Sequence, residues 1–265
     1  MKLESPSDGT GRRWFTVYSA SGMNTNNPVL SGKAFSNFGS YGRAMTLDGA
    51  VFKSGLLLLI ACVVAGVTWV GCQNNPALLT PALLGGSIGG FVVAMVLTFK
   101  REWSPALAPA YAVLEGCVLG SVSLVFERRF PGIAFNAAVL TLGTLGGMLL
   151  LYRLRIVRAT EKLRLGVMAA LVAIVALYLV SAVMGMFGKP MAFLHDSSPL
   201  SIGISLVIVG VAALCLVLDF GLIEASAEQG APAYMEWYCA FSLLVTIVWL
   251  YLEMLRLLSK FNSRR

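Results

Sequence analysis

The apolar positions of this chain gather into seven long runs instead of short alternating or one-faced segments. Residues 54–72, 79–99, 105–126, 133–152, 165–187, 200–223 and 234–258 are each almost continuously apolar. A helix rises 1.5 Å per residue, so roughly 20 such residues cross the hydrocarbon core of a bilayer. Backbone groups in lipid must find partners within their own segment, and the runs therefore predict helices, not strands. The expected fold is all-α, a polytopic bundle of seven transmembrane helices.

The polar stretches divide the rest of the chain. Residues 1–50 are rich in Ser, Gly and Asn, show no helical or strand period, and predict a disordered cytoplasmic N-terminal tail. Residues 51–260 form the predicted membrane domain, and 261–265 a short basic C-terminal tail. No cleavable signal is legible, so the first run is expected to serve as an uncleaved anchor. Ser104 with Pro105, and Ser198 with Pro199, look like helix starts: a capping hydroxyl followed by proline in the first turn.

Charge supplies the orientation. Most Lys and Arg residues lie in the tail, in the loop after the second run (Lys100, Arg101) and in the loop after the fourth (Arg153, Arg155, Arg158, Lys162, Arg164). The positive-inside rule then puts the N-terminus in the cytoplasm. Seven full crossings leave Arg264 and Arg265 outside, against the same rule. A last helix that crosses incompletely or re-enters is one resolution.

Composition excludes several classes. The chain is 57% hydrophobic and only 12% charged, with a mean hydropathy of +0.79. A soluble domain carries about twice that charge. The net charge of +7 is distributed as membrane-protein loops distribute it, and no nucleic-acid module accompanies it. The five cysteines lack CxxC spacing and read as small buried hydrophobes. With His195 as the sole histidine, a His-based metal cluster is ruled out, and no HExxH, Walker or GxSxG motif occurs. The expectation is a non-enzyme with no cofactor.

Glycines at GxxxG spacing, Gly85/Gly89, Gly86/Gly90 and Gly143/Gly147, predict faces buried between helices, within one bundle or in a homodimer. Oligomeric state is left open.

The candidate chemistry lies in carboxyls inside the apolar runs, where a charge is costly. They are Glu115 in the third run, Asp219 in the sixth and Glu253 in the seventh. If the last two helices are neighbours, Asp219 and Glu253 can meet and share one proton, which makes a pH sensor. Ionised, they would offer oxygen ligands to a hard cation such as Ca²⁺. The alternative is that each ties helices together, with Glu253 paired to Arg256 three residues on. Glu115 lines a cavity or makes a polar contact. Glu127, Arg128 and Arg129 read as solvated interfacial charges, Glu224 as water-facing, and His195 as a loop residue before a helix cap.

At these residues the chain resembles the Bax inhibitor-1 family, specifically its bacterial YccA-like branch. The resemblance rests on Asn27-Pro28-Val29-Leu30, Glu102-Trp103-Ser104-Pro105, residues 111–120 (YAVLEGCVLG), residues 193–203 (FLHDSSPLSIG), Leu218-Asp219-Phe220 with Ile223-Glu224, and residues 249–257 (WLYLEMLRL). It implies a central helix wrapped by the others and a pH-sensitive carboxyl pair that gates a Ca²⁺ leak. Asp219 matches the first member of that pair and Glu253 the second, where the family often has Asp. It further implies a basic latch for the first carboxyl, with Lys100 or Arg101 the nearest candidate, and residence in a bacterial inner membrane. A second implied role is a non-transporting regulator that binds a membrane protease or another membrane complex.

Overall fold

The structure, a computed structural model, describes residues 44–187, 196 and 198–264. Of the tail expected over residues 1–50, residues 1–43 lie outside the described residues, as does His195, and residues 47–50 are helical. Seven helices there are long and apolar enough to cross a membrane. They are α1 (Leu47–Asn74), α2 (Leu79–Phe99), α3 (Ser104–Arg129), α4 (Ile133–Arg153), α5 (Glu161–Met186), α6 (Pro199–Glu228) and α7 (Tyr234–Asn262). The all-α, seven-span reading agrees with this.

Helix ends follow local chemistry more than the apolar runs. α1 starts at Leu47, seven residues before the first run, because Thr46 caps it by accepting from the Gly49 amide at 3.0 Å. Lys53 is thus a helical residue. Thr160 caps α5 and Ser198 caps α6, the latter with Pro199 in the first turn as its sequence suggests. Ser104 does not cap α3. It is the first helical residue, fully buried, and its hydroxyl donates to the Tyr234 carbonyl at 2.7 Å, linking α3 to the start of α7. Glu127 is no free interfacial charge: its carboxylate accepts from the amides of Gly132 (2.6 Å) and Ala134 (3.1 Å) and satisfies the exposed N-terminus of α4. Gly132, at φ 83°, makes the left-handed turn between α3 and α4.

α7 sits at the centre. It packs against α1, α3, α4 and α6, and Leu244, Leu250 and Leu255 are fully or almost fully buried. α7 is continuous over 29 residues, long and apolar enough to cross a membrane. α3 is the second hub, covered by α1 and α2. α5 is the outlier, packing chiefly on α6 and leaving Leu165, Val172, Val175 and Leu179 exposed. In lipid such exposure costs nothing, since the tails are as apolar as the side chains.

The glycine expectations divide. A Cβ on Gly86 would meet the Leu114 carbonyl at 2.8 Å, and one on Gly90 the Glu115 carboxylate at 3.1 Å, so this pair lets α2 approach α3 closely. Gly143 and Gly147 have nothing within 4 Å and face outward, not into the bundle. Among the cysteines, Cys62 is exposed and departs from the buried expectation; all five are free thiols.

Candidate functional site: two carboxyl stations on the central helix

Six polar residues of α7 fall on one line. Ser242, Thr246, Trp249, Glu253, Arg256 and Lys260 are spaced alternately by four and three, which keeps them on one face of a helix. An apolar helix with a polar seam turns that seam away from lipid, because an unpaired polar group in hydrocarbon costs several kcal/mol (on the order of 2–7). This places the seam inside the bundle and α7 at its centre.

Asp219 of α6 meets the seam at its first two positions. Its Oδ1 accepts from the Ser242 hydroxyl and its Oδ2 from the Thr246 hydroxyl, both at 2.6 Å. The residue is 8% exposed, and among the described residues no cation pairs with it.

Glu253 is held differently. Its Oε1 accepts from Arg256 Nη1 at 2.7 Å, from the Tyr178 hydroxyl at 2.8 Å and from the Trp249 indole at 3.3 Å. Arg256 also donates to the Tyr178 oxygen and lies over its ring. Glu253 is 1% exposed, and its Oε2 has no partner among the described residues. The Arg256 pairing considered from sequence is present.

The two carboxyls do not share a hydrogen bond. Thr246 and Glu253 stand seven residues apart on α7, two helical turns or about 10 Å along the axis. The structure thus brings each carboxyl to the last-helix interface but at different depths, with separate partners.

The remaining candidates are dispersed. Glu115, half-buried on α3, lies against Gly90 of α2 beside Tyr111. Lys100 ends α2 with its ammonium over Trp103, and Arg101 lies over Tyr238, at the end of the bundle where α7 begins. Neither forms an ion pair with Asp219, whose two oxygens are occupied by hydroxyls.

Two buried groups, Glu236 and Lys260, and the half-buried Tyr178 escaped the sequence reading. Glu236 is the third residue of α7; it pairs with Lys53 and accepts from the Thr46 amide at 2.8 Å. Lys260 is 5% exposed and donates to Ser205 Oγ (2.7 Å) and the Ser201 carbonyl (3.3 Å). Tyr178, on the loosely packed α5, gives no sign of its role in the sequence. The four–three spacing on α7 was the available signal for Lys260. Glu224, read as water-facing, is exposed and accepts from the Tyr152 hydroxyl.

Among the described residues no group of three or more His, Cys, Asp or Glu side chains could hold a metal ion. Asp219 with its two hydroxyls is an all-oxygen set, the type a hard cation uses in passing, whereas the Glu253 oxygen is already matched to a guanidinium.

No curated protein and no solved structure matches the chain. A family model described as Bax inhibitor 1 like matches residues 27–263. That match runs from ahead of α1 to past the end of α7 and takes in the whole seam, and the chain accordingly belongs to the Bax inhibitor 1 like family, whose members are membrane channels and regulators and not enzymes.

Proposed function

We propose that this protein is a pH-sensitive cation leak of the Bax inhibitor-1 type, in its YccA-like branch, with Ca²⁺ as cargo and its N-terminus on the cytoplasmic side of a bacterial inner membrane. Asp219 and Glu253 govern the leak as two stations in series, not as one proton-sharing pair. The observation that carries this reading is Asp219: a buried carboxyl between two apolar helices whose partners are hydroxyls alone. A carboxylate held that way can take or lose a proton, or pass a hard cation, without breaking an ion pair. Glu253 has the complementary arrangement. Its charge holds Arg256 and Tyr178, so protonation removes the electrostatic part of the link between α7 and α5.

The test is flux into liposomes loaded with a calcium dye, measured across pH. Wild-type protein should leak Ca²⁺ at a pH-dependent rate, and Asp219→Asn and Glu253→Gln should each change that dependence. Absence of flux at every pH would defeat the leak and favour the regulator of a membrane protease or other membrane complex.

A further inference from the structure

The end of the bundle where α3 and α7 finish and α6 begins holds a polar pocket of about 350 Å³. Its walls include Phe126, Arg129, Asp196, Ser259, Lys260 and Ser263. None of these belongs to the Asp219 or Glu253 stations.

Lys260 makes the pocket unusual. A buried ammonium normally has a carboxylate partner, because leaving it alone in a low-dielectric site is expensive. Among the described residues the ion pairs are Lys53–Glu236 and Arg256–Glu253, so Lys260 has no carboxylate at ion-pair distance. Its two partners, the Ser205 hydroxyl and the Ser201 carbonyl, are neutral. Glu253, the nearest acid on its own helix, stands two turns away and is engaged by Arg256.

Arg129 is exposed and brings a second cation with a planar fork of donors, and the Ser259 and Ser263 hydroxyls line the same space. Among the described residues Asp196 is the one acid in the lining, set against the two cations Lys260 and Arg129. The apolar flank from Phe126 and the position at the end of membrane-spanning helices suit a ligand with a charged head at the interface.

We propose that this pocket binds a phosphate group, with Lys260 as the buried counter-charge and Arg129 as the outer clamp. The phosphate is carried either by a lipid headgroup or by a soluble oxyanion.

Thermal unfolding of the full chain in detergent tests it, with two probes: inorganic phosphate against NaCl of matched ionic strength, and phosphatidylglycerol against a phosphate-free glycolipid. Binding to the folded state should raise Tm by roughly 2–4 °C. A rise with inorganic phosphate assigns the soluble source, and a rise with phosphatidylglycerol alone assigns the headgroup. Either rise should vanish in Lys260→Met and in Arg129→Gln. Arg129 is exposed, so its variant keeps the fold even if Lys260→Met does not, and Ser263→Ala gives a third, smaller loss. The proposal is overturned if neither probe raises Tm, or if the rise keeps its full size in Arg129→Gln.

Discussion

Tyr178 donates its hydroxyl hydrogen to Glu253 and accepts from Arg256, and through this one side chain α5 is hydrogen-bonded to the central helix. Among the described residues no other side chain of α5 forms a hydrogen bond to another helix. Tyr178→Phe keeps the ring under Arg256 but removes both bonds. We expect a loss of about 0.6–1.5 kcal/mol in stability. Hydrogen exchange should rise over Glu161–Met186 and not over α3. Uniform change across the bundle would contradict the tether.

Asp219 and Glu253 have no shared partner and stand at different depths, so their substitutions should act independently. In a double-mutant cycle of Asp219→Asn and Glu253→Gln read by thermal unfolding, the two effects should add within about 0.5 kcal/mol. A coupling above about 1 kcal/mol would indicate a common proton or a common network, and would restore the paired-carboxyl expectation.

Glycines separate the buried helix contacts from the lipid-facing ones. A Cβ on Gly116 would stand 2.7 Å from Val64 Cβ and 2.8 Å from the Ala61 carbonyl, where α3 crosses α1. Gly116→Ala should cost about 1–3 kcal/mol through overpacking. Gly143→Ala meets nothing within 4 Å and should leave the monomer's unfolding unchanged or slightly stabilised. Unfolding in detergent at dilute protein compares the two directly.

Glu236 joins the chain ahead of α1 to the start of α7. It accepts from Lys53 and from both the amide and the hydroxyl of Thr46, while the Met45 amide donates to the Ala231 carbonyl at 2.7 Å. Removing the acceptor leaves more groups unpaired than removing the cation. Glu236→Ala should therefore destabilise by about 2 kcal/mol or more, and Lys53→Met by less. Equal losses would mean that the ion pair alone matters and that the Thr46 contacts add nothing.

Some of this was legible in one dimension. Seven runs of apolar residues can satisfy their backbones in lipid only as helices, so the spans were readable from hydropathy. The Ser198–Pro199 start was equally readable, because a cap is a contact between residues three apart. The Ser104 reading failed for the opposite reason: its hydroxyl found Tyr234, 130 positions away in the chain. Glu127 was misread in the same way, since the turn at Gly132 carries the amides of α4 back onto its carboxylate.

The candidate carboxyls were recognisable because charge in an apolar run is rare enough to mark itself. What each carboxyl touches was not. Local sequence offers Glu253 a partner in Arg256, one turn on, and that pair formed. It offers Asp219 none, and the two hydroxyls that hold it come from the neighbouring helix. The sequence by itself determined the membrane class, the number of spans and the marking of Asp219 and Glu253 within them, since these depend on transfer of side chains between water and lipid. Only the tertiary structure decided that the last helix is central, that its polar seam divides into separate stations, and that Lys260 lies buried with no carboxylate partner among the described residues. Those outcomes depend on which helix faces are brought together, and lipid, being apolar on every side, leaves that choice to packing and hydrogen bonds across the chain.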